Sequence, residues 1–172
     1  LFHPPAQENA REGLVWVGNW GDDERSDELH TLLLEPAAQS NLPLDVYGVR
    51  YPPEALAALE QYGARYRGWL PNAAVPSVFA RHLATVHVPR RFYVGHLPGI
   101  PTIRVFEALA CGIPLVSAWW NDSEQLFRPG EDYLVARNAA EMRRHLAAVI
   151  HDAPLRESLL ANGLNRIAAH HT

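Results

Sequence analysis

The 172-residue sequence predicts an α/β domain: a Rossmann-like parallel sheet of about six strands with helices on both faces. Three observations predict it. Short apolar runs alternate with amphipathic stretches from Leu14 onward. Each run has the length of a buried parallel strand and is bounded by Gly, Pro or polar residues. The composition, 48% hydrophobic and 20% charged, is that of a globular domain rather than a disordered chain.

The elements follow in order. Residues 1–12 are polar and proline-rich and read as a linker or inter-domain segment, so the folded domain spans 13–172. Leu14–Val17 is the first strand, closed by Gly18-Asn-Trp-Gly21. Residues 22–35 form the first helix, with carboxylates crowded at its start where they complement the helix dipole. Leu44–Tyr47 is a strand; residues 53–62 are a helix with Pro53 near its first turn. Residues 65–69 form a strand, 75–82 a helix and 84–88 a strand. Residues 89–101 are a long irregular loop holding five breakers: Pro89, Gly95, Pro98, Gly99 and Pro101. Residues 102–111 are helical and Gly112 ends them. A strand over 114–118, a short helix over 123–127 and a last strand over 133–136 come next. Helices over 138–151 and 154–170 close the chain.

Composition excludes several classes of function. The 15 basic residues, all arginine, stand against 19 acidic ones, a net charge of −4 that argues against phosphate-driven nucleic-acid binding. The single Cys111 rules out an intrachain disulfide framework and a cysteine-based zinc site. His82 and His87 lie in different elements, which speaks against a metal site. No apolar run approaches the roughly 20 residues needed to cross a bilayer. The sequence opens on Leu1-Phe-His-Pro-Pro5 rather than Met and is expected to be part of a larger protein.

In sheets of this class, ligands sit beyond the carboxyl ends of the strands, near the reversal of strand order. Attention therefore falls on 18–23, 90–102 and 119–123. Gly18 to Gly21 allows backbone to approach a phosphate, but it is not a G-x-G-x-x-G fingerprint, and Asp22, Asp23 and Glu24 follow it. An ordinary strand-to-helix turn fits it as well. The segment from His96 to Thr102 feeds a helix N-terminus, where free amides favour an anion. Arg104 and Glu107 share one face of that helix, and Ile103, Phe106 and Ala110 are assigned to its core face. A carboxylate one or two turns along the helix suits a ribose diol; a plain surface ion pair suits the same spacing.

Gly99-Ile-Pro-Thr-Ile-Arg-Val-Phe-Glu-Ala-Leu-Ala-Cys-Gly-Ile-Pro-Leu-Val-Ser117 resembles the donor-site segment of glycosyltransferases with the GT-B fold, within them the CgeB-like group 1 enzymes. Glu124 to Ala136 resembles the same group's E-x-x-F-x-x-G-x-D stretch, and Tyr66-Arg-Gly-Trp-Leu70 its short strand before the fourth helix. The resemblance implies one half of a GT-B fold: the C-terminal domain, which binds a nucleotide sugar, with an N-terminal domain and an unidentified acceptor as partners. It implies that Glu107 binds the donor ribose and that amides of Gly99, Ile100 and Thr102, with Arg104, hold the diphosphate. His96, Gly18 and Asn19 are further donor-site candidates, and no catalytic residue is assigned. It also implies transfer without a metal or other cofactor, which fits the lack of a D-x-D motif. Nucleotide sugars being cytosolic, the expected location is the cytoplasm, with membrane association left to the missing part.

Two departures from the group stand out. Retaining members carry Glu, seven residues, Glu; counting back from Glu107 reaches Gly99. Trp119-Trp120 stands where relatives have small residues, either narrowing the cleft and stacking on a ligand or serving as core. Arg90 and Arg91 read as a solvated pair at a strand end, Arg143 and Arg144 as a solvated helix face, Cys111 as packing, and Asp122 as a helix N-cap with Gln125 behind it. Two other readings stay open. One is a non-catalytic nucleotide- or partner-binding module on this fold. The other, ranked last for want of the glycine fingerprint, is a nicotinamide-dependent oxidoreductase.

Overall fold

In the computed structural model all residues are described except Leu1, 6–9, Asp22, Glu24, Pro98, Pro101 and Thr172. Six strands form one parallel sheet: β1 (Leu14–Val17), β2 (Leu44–Tyr47), β3 (Arg65–Gly68), β4 (Ala84–His87), β5 (Leu115–Ala118) and β6 (Leu134–Ala136). Their order is β3-β2-β1-β4-β5-β6. The order reverses between β1 and β4, so the crevice of this Rossmann-like sheet opens there.

Alternation along the strands feeds two cores. Leu14 and Trp16 of β1, with Val46, Val86 and Val116, point into one; Val15, Val17 and Leu115 point into the other. Each fully buried Leu or Val contributes roughly 2 kcal/mol of transfer free energy. The first core is covered by α1 (Ser26–Leu29), α2 (Glu35–Gln39), α3 (Pro53–Gln61) and α7 (Ala139–His151). The second is covered by α4 (Val75–Phe79) and α6 (Ile103–Ala110), with Ile167 of α8 (Ala153–His170) packed against it. Asn138 caps α7 by accepting from the Glu141 amide at 2.9 Å, and Asp152 caps α8 from Leu155 at 2.9 Å. Phe2, ahead of the domain proper, also packs on the second core.

Four expectations need correction. The first helix begins at Ser26, and its path from α1 to α2 passes through a π-helical stretch, His30–Leu34. Pro36 brings no N–H to the carbonyl four residues back, and the wider turns just before it absorb that gap. Asp22 and Glu24, expected in that helix, lie outside the described residues. The loop after β4 contains a six-residue helix, α5 (Arg91–His96), with no buried residue. Residues 123–127 are not helical: the Asp122 carboxylate accepts from the amides of Leu126 at 3.0 Å and Phe127 at 2.9 Å, and Gln125 turns to φ +55°. The aspartate folds a loop over itself and caps no helix. Finally, the buried stripe of α6 is Val105, Ala108 and Leu109; Ile103 is 65% exposed, and Phe106 is half-buried against Phe127. Apolar side chains at i and i+3 occur on both sides of this helix, and the sheet selects the other set.

Candidate functional site

A cleft of about 620 Å³ opens where β1 and β4 part. Its β1 side is the Gly18-Asn19 turn. A Cβ at Gly18 would lie 2.8 Å from the Trp16 ring, so the close turn requires glycine. The turn is tied on both flanks. Tyr51 donates its hydroxyl to the Gly18 carbonyl at 2.7 Å, and the Val49 amide donates to Asn19 Oδ1 at 3.2 Å. From the cleft side Arg25 donates to the carbonyls of Asn19 and Trp20, and to Val88 at 3.1 Å, so one guanidinium spans both strands of the crevice. Its carbon lies 5.1 Å from the centre of the Trp16 ring.

The opposite wall is the entry to α6. Thr102 precedes the helix in extended conformation, and its hydroxyl makes no capping bond. Among the described residues the amides of Thr102, Ile103 and Arg104 have no hydrogen-bond partner, as expected for the first turn of a helix. The Gly99 amide donates to Asn121 at 2.9 Å and Ile100 to Leu97 at 3.3 Å. The anion-binding amides assigned to Gly99 and Ile100 are thus already engaged, and the open ones begin at Thr102. Gly99 has φ +88°, a left-handed conformation that favours glycine, and a Cβ there would displace the Ser123 hydroxyl.

The electrostatics are one-sided. Arg25, Arg90 and Arg104 line the cleft, and no carboxylate does among the described residues. His87 lies on the floor, fully buried; burial first, then Arg25 and Arg104, push its imidazolium down to about 3. Burial is the larger cause, and the arginines add to it in a cleft whose described charged side chains are all cationic. Glu107 is 4% exposed and bonds Arg104 through Oε2, behind the cleft wall. Burial raises its carboxyl above the usual range and Arg104 opposes the rise. Its Oε1 has no hydrogen bond among the described residues.

Of the residues singled out from sequence, Gly18, Asn19, Ile100, Thr102 and Arg104 line this cleft. Gly99 lines a small adjoining cavity with Ile100, Thr102 and Trp120. His96 lines neither; it is exposed and stacked on Phe92 at 5.1 Å. Pro98 and Pro101 lie outside the described residues. Arg90 and Arg91 do not form one solvated pair: Arg90 lines the cleft, while Arg91 bonds Glu28 at 2.9 Å. Trp120 is core, and Trp119, partly exposed, edges a second cavity of about 530 Å³. Cys111 is buried, its thiol pushed up to about 12 by burial and by Glu107, as an inert packing residue requires. Sequence reasoning missed Arg25 and His87. Their positions, just past the first strand's turn and at the end of a strand, were the available signals.

Solved structures share this fold. The chain is similar to a TarM variant of S. aureus in complex with fondaparinux, alpha-GlcNAc-glycerol and UDP, with TM-score 0.74 and 14% identity over 100% of this chain and 35% of that one. It is similar to the C-terminal domain of the group 1 glycosyl transferase LpcC from Francisella tularensis, with TM-score 0.75 and 15% identity over 99% and 96%. It is similar to T4 phage BGT in complex with its UDP-glucose substrate, with TM-score 0.75 and 14% identity over 94% and 46%. The chain thus spans less than half the length of TarM and BGT. No curated protein matches it in sequence. Residues 25–172 match the glycosyl transferase-like family, and on that match the chain belongs to this family.

Proposed function

We propose that this chain is the donor-binding domain of a metal-independent glycosyltransferase of the CgeB-like group, taking a nucleotide sugar and passing the sugar to an acceptor held by a second domain. The observation that carries this is the cleft at the strand-order reversal, lined by three arginines and the open first turn of α6. TarM and BGT, similar in fold, were crystallised with UDP and UDP-glucose, which supports the same ligand class here. In this reading the amides of Thr102, Ile103 and Arg104 receive the diphosphate. Arg25, Arg90 and Arg104 oppose the negative charge that grows on it as the sugar leaves, the task a metal ion performs elsewhere. Glu107 keeps Oε1 for a ribose hydroxyl while Arg104 holds Oε2. His96 is left without a donor role. Among the described residues the helices include none long and apolar enough to cross a membrane.

One observation favours a second reading, a binding module without chemistry. Position 99, where the paired glutamate of retaining enzymes would stand, is a glycine held at φ +88°, a conformation that a glutamate there would strain. Calorimetric titration with UDP, GDP, ADP and TDP, with and without magnesium, tests the first step. One diphosphate should bind selectively without magnesium, and Glu107→Ala should weaken it about tenfold or more, the loss of a charged hydrogen bond to the ribose. Binding of none of the four would refute the donor reading.

A further inference from the structure

His87 sits fully buried at the carboxyl end of β4, and the donor reading gives it no contact. Its two nitrogens are nevertheless fixed by their partners. Ser117 donates its hydroxyl to the Ala118 carbonyl at 2.7 Å, so it turns a lone pair to His87 Nδ1, 2.9 Å away. Nδ1 therefore carries the proton, and Nε2 presents a lone pair. Thr102 Oγ1, 2.7 Å from Nε2, must be the donor there. Threonine immediately before a helix ordinarily turns its oxygen to the amide two or three residues on. In α6 it makes no such bond, because the hydroxyl is drawn toward the histidine.

We propose that His87 is a positioning residue: by accepting the Thr102 hydroxyl it keeps that side chain from capping α6, and so leaves the helix's first-turn amides open to the donor diphosphate. This rests on the diphosphate reading of the cleft. The imidazole stays neutral because burial, then Arg25 and Arg104, disfavour its charged form, so the accepting lone pair persists over the physiological range. His87 acts through Thr102 and touches no ligand itself. The cost of the arrangement falls on the isolated helix, which gives up an N-cap, and is offset when an anion takes the cap's place.

Calorimetry with inorganic pyrophosphate tests this without knowledge of the base. Four chains are compared: the parent, His87→Leu, His87→Gln and His87→Leu/Thr102→Val. In His87→Leu the freed hydroxyl turns to the helix and competes with the ligand, weakening pyrophosphate by about fivefold, the order of one N-cap bond. His87→Gln, whose carboxamide oxygen can still accept the hydroxyl, should bind within about twofold of the parent. The double variant has no hydroxyl with which to cap and should recover the affinity that His87→Leu loses. A histidine needed only for packing would leave the single and double variants equally weak, and that result overturns the proposal. So does His87→Leu binding as tightly as a competent parent. A parent chain that ignores pyrophosphate overturns the diphosphate reading itself, and the inference with it. Should His87→Leu fail to fold, nitrogen-15 shifts of the parent imidazole decide: a protonated Nδ1 with an accepting Nε2 supports the proposal, and a protonated Nε2 overturns it.

Discussion

Two buried carboxylates, Asp45 on a strand and Glu107 on a helix, make opposite bargains with arginine. Asp45 on β2 takes Arg65 Nε at 2.7 Å and Arg67 Nε at 3.1 Å, with His82 Nε2 at 3.2 Å. Burial pushes its carboxyl upward, but the hydrogen bonds from Arg67, His82 and Arg65 together outweigh it and hold the group below its ordinary range. Glu107 on α6 has Arg104 alone, and burial prevails, so its carboxyl is raised. Asp45 fastens the edge strand β3 to β2 and has both oxygens engaged. Glu107 is a charge held against its preference with one oxygen open. A fully satisfied carboxylate marks architecture; a partly satisfied one marks a place prepared for a ligand.

The largest effect should come from the satisfied member. Asp45→Ala strips three donors of their acceptor, and urea unfolding at pH 7 should show a loss of about 2 kcal/mol, with nucleotide affinity unmoved. Because the folded-state carboxyl lies below its ordinary value of 3.8, this stabilisation is complete above that value. It disappears as pH falls through the lower, folded-state value, so parent and variant should converge in acid. A gap that persists unchanged in acid would mean that Asp45 acts by packing rather than charge.

Arg104→Met is the intermediate case. It leaves the Glu107 carboxylate buried without its counter-charge, and should cost about 1 kcal/mol at pH 7, reduced from a fully buried pair because Arg104 is partly exposed. The loss should fade as acid neutralises Glu107. A constant loss at every pH would erase the contrast between the two carboxylates. The smallest effect is of opposite sign. With the folded value raised above 4.5, the favourable protonated form is complete below 4.5 and is lost as pH rises through the folded value. Glu107→Gln should therefore unfold slightly later than the parent at pH 7, by roughly 0.5 kcal/mol, and converge with it in acid. The same variant binding donor as well as the parent would detach stability from function at this residue.

The central strands were readable because they are apolar runs bounded by residues that break pairing, a trace that parallel strands buried on both faces leave in composition; the edge strand β3, Arg65–Gly68, is polar and largely exposed. Leu14–Val17 and Leu44–Tyr47 coincide with their strands to the residue. Helix details were not so local. Which stripe of α6 is buried depends on how the sheet receives it, and the apolar spacing allowed two answers. The helix α5 buries nothing, so no periodicity announced it. In the cleft, the rule that ligands meet the carboxyl ends of strands led to Gly18, Asn19, Thr102 and Arg104. The same rule pointed near Arg25 but did not single it out, because its importance lies in bonding carbonyls that follow β1 and β4, distant in sequence. Nor could it show that Gly99 and Ile100 have their amides engaged, since their acceptors, Asn121 and Leu97, are set by how the loop closes.

The helix α6 has a free end at the cleft and a crowded one behind it. Gly163 of α8 lies so near Leu109 that a Cβ there would stand 2.9 Å from its Cδ2, and Gly112 past the end of α6 has Leu164 and Pro4 as neighbours. The rear of the helix is therefore closely packed against α8. A methyl group at 163 would meet the end of the Leu109 side chain, which must turn aside to admit it. The seat of α6 is in that sense shared with α8, and a change at 163 reaches the helix through one flexible side chain before it reaches the cleft.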